Sequence, residues 1–101
     1  MGKIVWRQAA IDDLDSIYDY IAEEAPARAV SFIEELTRQI AKLSDFPEIG
    51  LNKLPNLPNV QVFPYKNYIF IFKSIDVEKG IELLRILHGA QDYLGNFTED
   101  L

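Results

Sequence analysis

The chain has 101 residues, 49% hydrophobic and 26% charged, a balance that suits one globular domain spanning residues 1–101 and excludes a disordered segment. It carries a net charge of −6 and no cysteine, which excludes a disulfide framework, a thiolate metal site and broad electrostatic binding of nucleic acid. No apolar run nears membrane-spanning length and the start lacks a signal peptide's apolar core, so a cytoplasmic protein without membrane association is expected.

Lys3 to Arg7 reads as a short strand. From Gln8 the period changes: Ala10, Leu14, Ile17, Tyr18 and Ile21 recur at helical spacing, with Asp12, Asp13, Asp15 and Asp19 on the other side. No side chain offers a clean N-cap, although Asp12 and Asp13 place negative charge near the positive end of the helix. The helix is expected to stop around Glu24, because Pro26 disfavours helical geometry at Ala25. Pro26 suits the first position of a second helix, with an apolar stripe of Ala29, Phe32, Ile33, Leu36, Ile40 and Leu43 that runs out near Ser44. A very short join makes the pair an antiparallel hairpin. Residues 8–45 hold nine acids against three bases, Arg28, Arg38 and Lys42, which accounts for the whole excess of negative charge. Such a surface keeps a protein soluble or draws a basic partner.

Residues 45–59 contain three prolines and three asparagines, which exclude regular structure. Leu51, Leu54 and Leu57 recur every third position, so the segment reads as a strap across the core edge or as a binding loop. Val60 to Phe63 reads as a strand ended by Pro64, and Tyr65-Lys66-Asn67 as the turn after it. Tyr68-Ile-Phe-Ile-Phe-Lys73 has the aromatic and β-branched character of a central strand. Ser74 to Gly80 supplies a hairpin loop, and Ile81 to His88 the last strand. The tail from Tyr93 is polar, with Tyr93, Leu94 and Phe97 as its large apolar residues. The order β-α-α-β-β-β predicts an α+β fold, with the helical hairpin on one face of a mainly antiparallel twisted sheet.

Alternation assigns the strand faces. In the last strand Ile81, Leu83, Arg85 and Leu87 share one face, and Glu82, Leu84, Ile86 and His88 the other. In the central strand Tyr68, Phe70 and Phe72 lie opposite Ile69 and Ile71. One helical hairpin covers one side, so an apolar groove with Arg85 on it is expected on the reverse side, open to a partner. Arg85 either pairs with a carboxylate inside the fold or binds an anion from outside. His88, the single histidine, reads as a hydrogen-bonding group at a strand end or as a catalytic base. Asp92 reads as a partner for backbone N–H groups near Gly89 or for Arg85. No His pair, glycine-rich phosphate cradle or nucleophile–base spacing is present, so neither a metal site nor a cofactor is expected.

Arg85-Ile-Leu-His-Gly-Ala-Gln-Asp92 resembles the terminal strand motif of ParE toxins, in the RelE/ParE superfamily of toxin–antitoxin systems, where Arg-Val-Leu-His-Gly-Ala-Arg-Asp is typical. Trp6, Ala10, Asp13-Leu14, Ile17 and Tyr20-Ile21 extend the likeness, as do Pro26, Ala29, Phe32, Phe46-Pro47, Gly50 and the run from Tyr68 to Phe72. The departures are Gln91 and Gln61, at positions where an arginine is common. The resemblance implies a bacterial toxin that poisons DNA gyrase without being a hydrolase, and a ParD-like antitoxin whose flexible C-terminal segment folds onto it as a hetero-oligomer. On this resemblance Leu83, Arg85, Leu87, Phe70 and Phe72 are the expected antitoxin contacts, and Arg85, His88, Gln91, Asp92 and Tyr93 the expected target contacts. RelE-like relatives instead cleave messenger RNA on the ribosome, using several basic side chains and often a C-terminal tyrosine. RNA cleavage needs cations around the phosphate. Here Arg85, Lys66 and Lys73 are all the sheet offers, so inhibition of gyrase is the favoured expectation. The alternatives are a ribonuclease and an inert member that only binds its antitoxin.

Overall fold

The computed structural model describes residues 2–51, 59–75 and 80–88. Strand β1 (Ile4–Trp6) leads into helix α1 (Gln8–Ala22) and, after a three-residue join, helix α2 (Pro26–Asp45). A single 3-10 turn, Pro47–Ile49, follows, and then β2 (Val60–Tyr65), β3 (Tyr68–Ile75) and β4 (Gly80–His88). The strands form one sheet in the order β1-β4-β3-β2. β1 runs parallel to β4, and the other two pairings are antiparallel. The fold is α+β, two helices on a mixed sheet.

Local chemistry sets the helix ends. α1 starts without a side-chain cap, after an extended Arg7. Ala25, forced out of helical geometry by the proline after it, has φ −147° and ψ 82°, and Pro26 opens α2. The buried stripes of the two helices, Ala10 and Ile17 with Leu36, Ile40 and Leu43, pack on Tyr68, Phe70, Phe72, Ile81, Leu83 and Ile86 of the sheet. Gly80 lies where β4 passes β1, and a Cβ there would come 1.9 Å from the Lys3 carbonyl oxygen.

Three features depart from the sequence expectation. First, β2 continues through Pro64 to Tyr65. Val62 exchanges both backbone hydrogen bonds with Leu51, on the side away from β3. The Pro64 nitrogen, two residues on, faces that same outer side, where the ladder with β3 needs no donor. The turn into β3 is therefore the two-residue Lys66-Asn67, with Tyr65 opposite Tyr68.

Second, β4 carries a bulge. Arg85 stands opposite Ile71 and Leu83 opposite Phe72, so Leu84 is an extra residue. Beyond it the face assignment reverses. Ile86 and His88 join Ile81 and Leu83 on the helical side, while Leu84 and Leu87 share the reverse side with Ile69 and Ile71.

Third, the reverse side is closed at its centre. Val60, Val62, Ile69, Ile71 and Leu84 form a second buried cluster, each 4% exposed or less. The expected vacant groove is absent there.

Candidate functional site

Phe70, Phe72 and Leu83 are fully buried beneath the helices. They are core residues, not contacts on an open face, because the helices chose the Tyr68–Phe70–Phe72 side and strict alternation placed Leu83 with the wrong neighbours. Leu87 lies half-buried beside the second cluster. Gln91, Asp92 and Tyr93 lie outside the described residues.

Arg85 is held by helix α1. Its guanidinium donates to both oxygens of Asp13, at 2.7 and 3.1 Å, a bidentate pair with side chains 24% and 17% exposed. Asp13 also accepts the backbone N–H of Ile86 at 2.9 Å. β1 ends opposite Leu83, so among the described residues the edge of β4 beyond that point has no strand beside it, and the carboxylate of Asp13 meets the backbone there. Of the two sequence readings of Arg85, the pair inside the fold is the one observed.

His88 is exposed at the end of β4, its ring centroid 5.0 Å from that of Tyr68. It opens onto a cleft of about 540 Å³ between the tip of the helical hairpin and the β2–β3 turn. Tyr20, Phe32, Tyr68 and His88 supply its rings, and Arg28, Lys66, Glu23, Glu24 and Glu35 its charges. Three elements meet there through Glu35. Its carboxylate accepts from the Tyr65 hydroxyl and pairs with the Lys66 ammonium. The hydrogen bond from Lys66, then that from Tyr65, holds the Glu35 carboxyl below its ordinary value. The same bonds raise Lys66 and Tyr65. Burial raises Tyr68, helped by Tyr20.

Lys66 also has a backbone φ of 54°, at the turn position that glycine ordinarily takes. Its ammonium lies 5.7 and 5.6 Å from the ring centres of Phe32 and Tyr65, within cation–π range. Of the cleft residues, sequence reasoning singled out only His88 as a site. Tyr65 and Glu35 are 30 positions apart, and no spacing signal joins them. No group of three or more metal-ligating side chains occurs among the described residues.

The cleft offers aromatic walls, hydrogen-bond donors and mixed charge, which suits recognition of a polypeptide better than chemistry on a phosphate. The model of the ParE toxin of the type II toxin–antitoxin system parDE matches residues 4–93. Toxin RelE2 of Caulobacter vibrioides is 26% identical over 91 residues, spanning 90% of this chain and 99% of the relative. Among solved structures, a chain of the chromosomal ParDE system from P. aeruginosa is similar, with a TM-score of 0.71 at 24% identity, covering 89% of this chain and 98% of that one. The isolated E. coli RelE toxin gives 0.63 at 13% identity, with both chains covered in full. The toxin–antitoxin complex RelBE2 from Mycobacterium tuberculosis gives 0.61 at 15%, covering 86% and 96%. At these identities the structural likeness is one of fold, but the family model spans nearly the whole chain, so the chain belongs to the ParE family of type II toxin–antitoxin toxins.

Proposed function

We propose that this toxin acts as a protein inhibitor of DNA gyrase in the cytoplasm, and that a ParD-like antitoxin neutralises it by direct binding. The observation that carries this reading is the Arg85–Asp13 pair. A ribonuclease needs cations aimed at the scissile phosphate, where the loss of one such donor removes a large share of the rate. The arginine of the terminal motif is instead engaged bidentately by a carboxylate of the same chain. In the cleft, Glu23, Glu24 and Glu35 outnumber Arg28 and Lys66, which opposes a polyanion. The antitoxin part of the reading is supported by family membership and by the acidic helical surface, which suits a basic segment. Arg85 and Leu87, each half-buried, remain reachable members of the expected contact set.

The name of the RelE2 relative favours a second reading, ribosome-dependent cleavage of messenger RNA. One pair of assays separates the two. Purified toxin is titrated into a supercoiling reaction with purified gyrase and relaxed plasmid, and in parallel into a translating extract. The expected outcome is plasmid that stays relaxed and message that stays intact. Full supercoiling alongside cut message would make the protein a ribonuclease.

A further inference from the structure

Arg28 forms no hydrogen bond or ion pair among the described residues, although Glu23 and Glu24, in the join before α2, line the same cleft. Lys66, the other cation there, is already neutralised by Glu35. The positive charge on offer inside the cleft is therefore the guanidinium of Arg28, a planar donor suited to a single carboxylate. Tyr20 lines the same cleft, 75% exposed and the most exposed large apolar side chain among the described residues. Phe32 and Tyr68 continue the aromatic surface inward, their ring centroids 5.6 Å apart. Tyrosine and arginine are the side chains that most often anchor protein interfaces.

The β2–β3 turn supplies another part of the lining. Lys66 holds a backbone conformation that a lysine seldom adopts, and its ion pair with Glu35 and its contacts with two rings fix it there. Residues kept in such conformations cluster at binding sites.

We propose that this cleft is the toxin's grip on its protein target, and that it receives an extended segment carrying a large apolar side chain next to a carboxylate. The apolar side chain lies between Tyr20 and the rings of Phe32 and Tyr68, and the carboxylate meets Arg28. Glu23 and Glu24 at the rim repel a phosphate backbone and suit a basic residue further along the segment. The inference rests on the gyrase reading and adds to it the surface and the chemistry of the contact.

The test uses full-length toxin, purified gyrase and purified antitoxin. Arg28→Glu and Tyr20→Ala are compared with wild type and with Lys42→Glu, the same charge change on α2 outside the cleft lining. Both cleft variants alter surface residues and are expected to melt like wild type and to co-purify with antitoxin. Each is expected to need about tenfold more protein for half-inhibition of supercoiling, the loss typical of one interface anchor. Lys42→Glu is expected to inhibit like wild type. Cleft variants that inhibit as well as wild type would overturn the inference while leaving the gyrase reading intact. Loss of antitoxin binding by the folded cleft variants would assign the cleft to the antitoxin and also overturn it. A wild-type protein that does not inhibit gyrase would remove both readings together.

Discussion

Asp13 combines three interactions in one carboxylate: two hydrogen bonds from Arg85 and one from the backbone of Ile86. Replacing it with asparagine keeps the shape but removes the charge and one acceptor. The half-buried guanidinium of Arg85 then loses the charge of Asp13, which destabilises by about 2 kcal/mol. For a domain of this size that lowers Tm by about 10 °C. A melt of Asp13→Asn within about 2 °C of wild type would show that the pair does not hold α1 to β4. Glu35 gives a pH-dependent counterpart. Its carboxyl is held below the ordinary 4.5, so the ionised form adds stability above that value and loses it as pH falls through the lowered one. Lys66 and Tyr65 are raised, so their contributions are present below 10.5 and 10.0 and fade as pH climbs past the raised values. The Tm advantage of wild type over Glu35→Gln should therefore persist through neutral pH and shrink below pH 4.5 and above pH 10. An advantage that does not change with pH would mean that Glu35 acts through packing alone.

At the scale of elements, β4 decides which side chains are core. Leu83 is 0% exposed and packs beneath both helices, so Leu83→Asp places an unpaired carboxylate in the main cluster. The expected result is loss of cooperative folding in circular dichroism and gel filtration, not loss of one partner from a folded toxin. A folded Leu83→Asp protein would contradict the packing. The sequence alone, read by alternation, put Leu83 on an open face, and the reason is physical. Both helices, the turn at Ala25–Pro26 and the cores of β3 and β4 are legible because apolar period and proline sterics act locally. A bulge leaves no such mark: Leu84 differs in nothing visible from a leucine in a regular ladder, yet it puts Leu83 and Arg85 on opposite faces, where alternation has them share one. Pro64 misleads in the opposite direction. Proline usually ends a strand, but here its nitrogen faces the outer side of β2. The cleft was least legible, since Tyr20, Arg28, Lys66 and His88 come from four separate places in the chain and share no spacing.

The charge of the whole molecule bears on how fast partners arrive. The net −6 comes from residues 8–45, the two helices that cover one side of the sheet, so the acids are concentrated on one side and not spread evenly. A field of that kind extends about one Debye length, ~10 Å at 0.1 M salt, and accelerates the approach of a basic segment before any contact forms. Contacts made after docking, whether apolar or buried ion pairs, respond far less to salt. The two contributions separate in kinetics. Raising NaCl from about 0.05 to 0.5 M should slow association of the toxin with its antitoxin by about tenfold and leave dissociation within about twofold. Stopped-flow mixing at both salt concentrations measures each rate directly. A charge-reversed α1 surface, Asp12→Lys with Asp15→Lys and Asp19→Lys, should reduce the salt dependence of association, because those side chains carry the field without lining the cleft. Equal salt dependence in that variant and in wild type would place the steering charge elsewhere, and salt-independent association in wild type would leave the acidic helices with no part in recruiting the antitoxin.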